Sequence, residues 1–259
     1  MSDAAVSISK LEMVFGGQNP VRALDQIDLT IKDGEFAAIL GPSGCGKSTL
    51  LNLIAGFETP TAGELLFYGR PVKKAGPDRA VVFQEPALFP WLSVWENVVF
   101  GPKAQGRHRR DYEDDAARYL ELVGLAGFHR HLPDQLSGGM KQRVGIARCL
   151  VMEPKMFLMD EPFGALDAQT RLQMQELLLD VWEKLKKTVL FITHDIDESI
   201  LLADVVFMMS ARPGRMWRRI PISIPRPRSS EFLTDSKFNE LRREIMLLLR
   251  EQAGPPRAA

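Results

Sequence analysis

The chain has 259 residues, of which 45% are hydrophobic, so it can bury one large core or two small ones. Its 33 basic residues equal its 33 acidic residues, and a net charge of zero provides no general attraction to nucleic acid. The one dense basic cluster, at 107–110, is short and is followed by acidic residues, as at a solvated helix start. No nucleic-acid partner is therefore expected.

The N-terminus has no basic segment followed by an apolar stretch, so we predict no secretory signal and a cytoplasmic product. The apolar run around Asp204 is interrupted by that charge and falls short of the roughly 20 residues that span a bilayer. Any role at a membrane must therefore pass through a partner. Cys45 and Cys149 form no metal or disulfide pattern, which fits a reducing compartment.

Strand patterns alternate with helix patterns along most of the chain. Near-continuous apolar runs predict strands that are buried on both faces. These runs are 36–40, 80–83, 155–160, 188–193 and 204–210. Helices are expected to begin at Lys47 and at Ala168, the second with Asp167 as its N-cap. This alternation predicts a mostly parallel α/β sheet.

The segment between Phe89 and Met152 has a helical pattern instead. Ser93 and Glu96 have the spacing of a capping box, and an amphipathic run covers 112–123. We therefore predict a helical subdomain inserted into the order of the sheet. A Pro- and Arg-rich stretch at 224–230 is interpreted as a linker to a last helix at 237–251.

A glycine-rich loop, "GPSGCGKS" at 41–48, matches G-x-x-x-x-G-K-[ST] and lies between a buried strand and a helix. Its glycines let backbone N–H groups turn toward phosphates, and the following helix N-terminus adds positive potential. Lys47 is expected to reach the β and γ oxygens, and Ser48 to offer its hydroxyl to magnesium. The predicted nucleotide-binding residues are Gly41, Pro42, Ser43, Gly44, Cys45, Gly46, Lys47, Ser48 and Thr49.

Two adjacent carboxylates end the buried strand "MFLMD". Asp160 is predicted to hold the magnesium ion, directly or through water, and Glu161 to orient and deprotonate the attacking water. The alternative, two solvated loop charges, is weaker because an apolar strand delivers both to the sheet edge of the glycine loop. His194 ends the next strand and is a candidate contact for the γ-phosphate.

These motifs, together with "LSGGM" at 136–140, resemble ATP-binding cassette ATPases, the nucleotide-binding subunits of membrane transporters. The resemblance covers nearly the whole chain. The other matching pieces are the Walker A loop at 41–49, Gln84 in "VVFQE", the Walker B stretch "MFLMDE", the "ALD" that ends at Asp167, and His194.

The resemblance implies a P-loop NTPase fold, with a RecA-like, mostly parallel sheet core. It also implies an N-terminal antiparallel β subdomain and places the inserted helical subdomain at about 87–153. The expected ATPase domain is 1–225, and 226–259 is a short C-terminal helical extension. ATP and Mg²⁺ are the expected cofactors.

In the resembled family two copies pair head to tail, which suggests a role for a second Ser-Gly-Gly turn. Ser137, Gly138 and Gly139 of one copy are expected to bind the γ-phosphate held by Lys47 of the other copy of a homodimer. Met140 stands where Gln is commonest, which puts in question a polar contact of that side chain. The implied catalytic residues are Glu161, His194 and Gln84, the implied metal ligands are Ser48, Gln84 and Asp160, and Asp167 and Phe15 are further nucleotide contacts.

Phe15 stands where such proteins often stack an aromatic ring on adenine, although a core position is the alternative. Leu88, Phe89, Trp91 and Trp95 follow Gln84 and are expected to form a partly exposed docking surface. In the resembled family this segment receives coupling helices of the membrane subunits. Packing within the helical subdomain fits Trp95 equally well and Trp91 less well.

Other P-loop classes fit the sequence less well. A GTPase would carry an [NT]-K-x-D motif, which this sequence does not contain. Cassettes of DNA repair or translation usually carry a long coiled coil or a second cassette, and neither is found within these 259 residues. Stretches such as "DEPFGALDAQTR" and "SARPGRM" are similar to importer subunits of the nitrate, aliphatic sulfonate and taurine group. Taurine or alkanesulfonate import is favoured, with nitrate as the alternative.

The resemblance implies permease subunits as direct partners and a substrate-binding protein as an indirect one. The chain is then expected at the cytoplasmic face of the cell membrane, attached through the permease. Because those other subunits choose the solute, no residue of this chain is expected to recognise it.

Overall fold

The computed structural model describes residues 4–253, and the chain divides into two compact units. The first unit runs up to Gly76 and resumes at Lys186, and the second unit is Pro77–Leu185. The elements in chain order are β1 (Ala4–Phe15), β2 (Val21–Lys32), β3 (Phe36–Leu40), α1 (Lys47–Ala55), β4 (Ala62–Phe67), β5 (Arg70–Pro71), β6 (Arg79–Val82), α2 (Val94–Ala104), α3 (Glu113–Leu122), α4 (Gly138–Leu150), β7 (Met156–Asp160), α5 (Ala168–Leu185), β8 (Thr188–Thr193), α6 (Ile196–Leu202), β9 (Val205–Met209), β10 (Met216–Pro221) and α7 (Ser236–Ala253).

The first unit contains an antiparallel sheet in the order β2-β1-β4-β5. Its strand β1 buries Val6, Ile8 and Leu11 against the core. Lys10 has a φ of 46°, and the register of β1 shifts against both of its neighbours there, which marks a bulge. The expected N-terminal antiparallel β subdomain is confirmed.

The same unit contains the strands that carry the glycine loop. β3 pairs in parallel with β8 on one side and with β9 on the other, and β10 pairs antiparallel with β9. Every residue of β3, β8 and β9 is buried, as the near-continuous apolar runs predict. β9 is one residue shorter at each end than the predicted run 204–210.

The second unit contains two parallel strands and four α-helices. β6 and β7 pair in parallel, from Arg79 opposite Met156 to Val82 opposite Met159. The predicted strand 80–83 therefore lies one residue earlier in the chain. The capping box is confirmed, since the Ser93 N–H donates to Glu96 Oε2 at 2.8 Å and the Glu96 N–H donates to Ser93 Oγ at 3.3 Å.

The stretch 224–230 is irregular, as its prolines predict, but a buried arginine anchors it to the rest of the unit. Arg228 is only 7% exposed and donates from Nη1 to the carbonyls of Ile200 at 3.1 Å and Ala203 at 2.6 Å. These carbonyls lie at the C-terminal end of α6, where a cation is stabilised by the helix dipole. Arg228 therefore fixes the path of the chain toward α7.

Helix α7 packs through Phe238 and Ile245, which are fully buried. Arg242 adds a two-pronged ion pair with Asp197 of α6, at 2.6 and 2.8 Å. No helix among the residues that the structure describes combines the length and the apolar character needed to cross a membrane.

Candidate functional site

The glycine loop between β3 and α1 has a backbone that only glycine can supply at several positions. Gly44 and Gly46 have φ values of 73° and 109°, in the left-handed region that side chains disfavour. A Cβ on Gly41 would lie 2.7 Å from the Met209 carbonyl oxygen. The loop is therefore shaped by close backbone packing as well as by its own dihedral angles.

Lys47 places its ammonium group inside this loop. The residue is only 4% exposed, and Nζ donates to the carbonyl of Gly41 at 2.9 Å and of Pro42 at 3.1 Å. The N–H of Cys45 also points to the Pro42 carbonyl, at 3.4 Å, while the Cys45 side chain is buried. The loop thus holds one buried positive charge on two neutral carbonyl oxygens.

The rim of the loop is open. Pro42, Ser43 and Gly44 are exposed, as is Ser48 in the first turn of α1, and Thr49 is half-buried. Helix α1 begins after Gly46 without a side-chain hydrogen bond to its first N–H groups. Such a helix start offers backbone donors and positive potential to an anion.

His194 lies in the same unit, directly after β8, and it is exposed. The Asp195 carboxylate accepts from the N–H groups of Asp197 and Glu198 at 2.8 and 3.1 Å, and so caps α6. On the other side, Thr193 Oγ1 accepts from the Asp195 N–H at 3.0 Å and donates to Glu198 at 2.6 Å. The turn that presents His194 is therefore fixed on both sides.

His194 and the beginning of the glycine loop share a cavity of about 330 Å³. Its lining is Leu40, Gly41, Pro42, His194, Ala211, Leu249 and Gln252. Phe15, at the end of β1, is 40% exposed, so its ring is not a core residue and is available to a ligand.

The second unit holds the other predicted residues. Asp160 ends β7 and Glu161 follows it, both half-buried. Glu161 has a φ of 43°, an uncommon value for a residue with a side chain, and its carbonyl accepts from the Gly164 N–H at 3.0 Å. Gln84 is exposed, and its Nε2 would lie 3.1 Å from a Cβ on Gly164, so Gln84 borders the turn that begins at Glu161.

Gln142 of α4 connects these two places, and none of the sequence motifs includes it. Its side chain is almost fully buried, and Nε2 donates to the carbonyl of Phe83 at 3.1 Å and of Pro162 at 2.7 Å. Phe83 precedes Gln84 and Pro162 follows Glu161, so one amide holds both segments. The available signal was its helical position, because Gln142 shares a face of α4 with the buried Ile146 and Cys149.

The Ser-Gly-Gly turn begins α4. Ser137 and Gly138 are exposed, and the Ser137 hydroxyl caps the helix by accepting from the Met140 N–H at 3.3 Å. A Cβ on Gly139 would lie 2.6 Å from Cγ2 of Thr170, so this turn packs against the start of α5. Only a residue without a side chain fits between the two helices there.

Asp167 caps α5, as predicted from the sequence, by accepting from the Thr170 N–H at 3.0 Å. Hydrogen bonds from the Thr170 side chain, and then from its backbone, hold the pKa of the Asp167 carboxyl below its ordinary value. The Ser-Gly-Gly turn and the "ALD" turn are thus neighbours within this unit.

An aromatic patch, defined as Phe89, Trp91 and Phe100, lies on the second unit. Trp91 is 72% exposed, and the Phe89 ring is 5.7 Å from the Trp91 ring and 4.4 Å from the Phe100 ring. The buried Asn97 fixes this loop, since it accepts from the Phe89 N–H and donates to the Phe89 and Leu92 carbonyls. Trp91 is thus not a core residue.

Trp95 belongs instead to the interior side of α2. Its residue is half-buried, and its ring stacks on His129 with the ring centres 5.4 Å apart. Of the tryptophans in this segment, Trp91 alone keeps most of its surface open.

Comparison with known proteins gives a consistent result. The family model described as ABC transporter matches residues 24–164. A nitrate import ATP-binding protein of Synechocystis sp. is 46% identical over 252 residues, covering 95% of both chains. An aliphatic sulfonates import ATP-binding protein of Bacillus cereus is 41% identical over 242 residues, covering 93% of this chain and 94% of the other. A solved dimer of an ATP-binding cassette with bound ADP and Pi has a TM-score of 0.74 and 32% identity, covering 85% of this chain and all of that one.

Proposed function

Because the chain belongs to the ABC transporter family, we propose that it is the ATP-binding and ATP-hydrolysing subunit of an importer of a small anion. The observation that carries the proposal is Lys47, whose buried ammonium group rests on the Gly41 and Pro42 carbonyls inside a glycine loop. Phosphate oxygens are stronger partners for that charge than neutral carbonyls are. ATP binding therefore offers the Lys47 ammonium group stronger acceptors than these two carbonyls.

The rest of the nucleotide has partners in the first unit. Backbone N–H groups of 43–49 are proposed to bind the phosphates, together with the uncapped N-terminus of α1. The exposed ring of Phe15 is proposed to stack on adenine. His194, which shares a cavity with Gly41 and Pro42, is proposed to contact the γ-phosphate.

The proposed ligands of Mg²⁺ are the Ser48 hydroxyl, the Asp160 carboxylate and the Gln84 amide oxygen. This set fits a hard cation, which takes oxygen ligands and usually binds through one or two carboxylates plus substrate phosphates. When bound, Mg²⁺ neutralises charge on the β- and γ-phosphates.

Glu161 is proposed to be the catalytic base. The Glu161 carbonyl accepts from the Gly164 N–H, and the neighbouring Pro162 carbonyl accepts from Gln142. These bonds fix the backbone on which the Glu161 side chain is carried. A positioned carboxylate can orient water and accept its proton. Gln84, next to the same turn, is proposed to sense the nucleotide and to pass its state to the docking segment.

A homodimer is proposed to complete each site, with Ser137, Gly138 and Gly139 of one copy on the γ-phosphate bound by the other copy. The exposed Ser137 and Gly138 and the dimeric ATP-binding cassette among the similar structures support this. Asp167, beside the same turn, is proposed to lie at the dimer interface. ATP then favours the paired state, and hydrolysis releases it.

The dimer has a direct test. A Glu161→Gln chain keeps its binding residues but loses the base, so it should dimerise when Mg-ATP is added and remain dimeric. Sedimentation velocity measures this, with Mg-ADP and the wild-type chain as controls. A species that stays monomeric at high protein and Mg-ATP concentrations would reject the trans site.

We propose that the aromatic patch receives the permease subunits, which hold the chain at the cytoplasmic face of the membrane and connect it indirectly to a substrate-binding protein. An exposed patch of aromatic rings on a fixed loop is suited to such docking. The ATPase domain is proposed to be 1–225, with helices of the inserted subdomain at about 87–153 and an extension at 226–259. The ends of these ranges, 1–3 and 254–259, lie outside the described residues.

For the transported solute, we propose taurine or another alkanesulfonate, with nitrate as the second candidate because the nitrate-named relative is 46% identical. A strain lacking this gene should be grown with taurine or an alkanesulfonate as sole sulfur source and, separately, with nitrate as sole nitrogen source. A sulfur defect rescued by sulfate supports sulfonate import. A nitrogen defect supports nitrate import instead, and no defect in either medium rejects both candidates.

A further inference from the structure

The loop at 210–216, between β9 and β10, packs against the outside of the glycine loop. A Cβ on Gly214 would collide with the carbonyl oxygen of Cys45, so the two backbones touch. The Gly214 N–H donates to the Ala23 carbonyl at 2.9 Å, and the Gly214 carbonyl accepts from the Asp25 N–H at 3.0 Å. This packing fixes the base of the loop at 210–216 beside the phosphate-binding segment.

Arg212 reaches from this fixed base to the glycine loop. Its Nε donates to the Gly44 carbonyl at 2.6 Å, and a Cβ on Gly44 would lie 3.3 Å from Nη2, so the guanidinium lies over Gly44. The side chain is exposed, and within residues 4–253 Nη1 and Nη2 have no hydrogen-bond partner. Among the described residues, the side chain of Arg212 therefore makes its hydrogen bond to the glycine loop.

That contact sets the direction of a backbone donor. The Gly44 carbonyl and the Cys45 N–H belong to one planar trans peptide unit and point in opposite directions. Holding the oxygen outward therefore directs the Cys45 N–H inward, where it points to the Pro42 carbonyl at 3.4 Å. Lys47 Nζ donates to the same oxygen, so this N–H lies beside the Lys47 ammonium group, on the side of the loop where we propose that phosphate binds.

We propose that Arg212 is a positioning residue of the nucleotide site, which holds the Gly44–Cys45 peptide unit so that its N–H faces the phosphates. The inference rests on the proposed function, since it needs ATP in the glycine loop. A peptide unit that is already oriented loses less entropy on binding than a mobile one. Arg212 therefore acts on ATP affinity and not on the chemical step.

The test compares three full-length variants with the wild-type chain. Arg212→Met keeps the apolar stem and removes every donor, Arg212→Lys keeps a charge and one donor, and Arg218→Met is the control. Arg218 is also exposed, and its guanidinium carbon lies 5.7 Å from the centre of the Trp217 ring. Dissociation constants for Mg-ATP, KM and kcat are measured, together with the melting midpoint without nucleotide.

Arg212→Met should raise the dissociation constant and KM for Mg-ATP about 10-fold, as for one lost hydrogen bond from a charged donor, with kcat within about twofold. Arg212→Lys should recover most of the affinity, and Arg218→Met should match the wild type. Wild-type-like affinity in Arg212→Met would overturn the inference. The inference would also be overturned if Arg212→Met lowered the melting midpoint without nucleotide and Arg212→Lys did not restore the affinity for Mg-ATP. That combination would indicate a general structural role of Arg212.

These outcomes separate the inference from the proposed function. A wild-type chain that does not bind Mg-ATP rejects the proposed function itself. A wild-type chain and an Arg218→Met chain that bind Mg-ATP, alongside an Arg212→Met chain that binds equally well, reject the role of Arg212 alone.

Discussion

Replacing Gln142 with Met tests whether the helix that begins with the Ser-Gly-Gly turn positions Glu161, the proposed catalytic base. Methionine has a similar length and is well tolerated in irregular cores, but it cannot donate a hydrogen bond. The change leaves the carbonyls of Phe83 and Pro162 without the bonds of 3.1 and 2.7 Å that they accept from Gln142. Everything in the glycine loop at 41–49 is untouched.

The magnitude follows from those two bonds. Each net hydrogen bond is worth about 1 kcal/mol, so Gln142→Met should lower the free energy of unfolding by about 2 kcal/mol. For a chain of this size, the melting midpoint should fall by about 4–8 °C. Because Pro162 adjoins Glu161, freeing the Pro162 carbonyl lets the proposed base move, and misplacement by about 1 Å can cost up to about 100-fold in rate. We expect kcat to fall at least about 10-fold, with KM for ATP within about twofold.

The assay is steady-state ATP hydrolysis below the melting midpoint of the variant, combined with a thermal melt. Gln173→Met is the matched control, since Gln173 is an exposed residue of α5 in the same unit. It should leave both kcat and the melting midpoint unchanged. If Gln142→Met lowers the melting midpoint but keeps kcat within twofold of wild type, Gln142 stabilises the unit without positioning Glu161, and the reasoning is refuted.

Three further predictions concern single residues. Lys47→Ala should weaken Mg-ATP binding beyond detection in equilibrium titration, because it removes the buried positive charge of the glycine loop. A dissociation constant within about tenfold of the wild-type value would contradict this role. Trp91→Ala should leave ATP hydrolysis by the isolated chain unchanged but abolish uptake by the assembled transporter, since the ring is 72% exposed and lies beside the Phe89 ring. A loss of hydrolysis in the isolated chain would instead show that Trp91 supports the fold. Burial raises the pKa of the Cys149 thiol to about 11, so roughly one thousandth of it is thiolate at pH 8. Alkylation of Cys149, mapped by mass spectrometry, should therefore be far slower than for a free thiol. Rapid modification of Cys149 in the native protein would show that the thiol is not buried.

Local features of the chain could be read from the sequence with good accuracy. Two helix caps join residues that are only three positions apart: Ser93 with Glu96, and Asp167 with Thr170. Such caps can therefore be recognised from a short stretch of sequence. β3 and β8 agree with the predicted runs to the residue, because a strand buried on both faces needs apolar residues throughout. β6 is displaced by one residue, since strand ends depend on which partner residues are available for pairing.

Other features depend on contacts that are distant along the chain. The prolines and arginines of 224–230 predict a solvated linker, yet Arg228 in that stretch is buried against the end of α6. Trp91 and Trp95 are chemically identical in the sequence, and only packing separates the exposed ring from the one stacked on His129. Exposure is a property of the neighbours that the fold supplies, which no local pattern contains.

The family, the glycine loop with its lysine and the two adjacent carboxylates are visible in the sequence, because the functions predicted for them need particular side chains at fixed spacings. How the surrounding backbone is held depends on the fold. Gln142 and Arg212 act on backbone carbonyls that lie 59 and 168 residues away. Every residue has a carbonyl, so such an acceptor leaves no trace in the sequence, and only folding determines which one a side chain reaches.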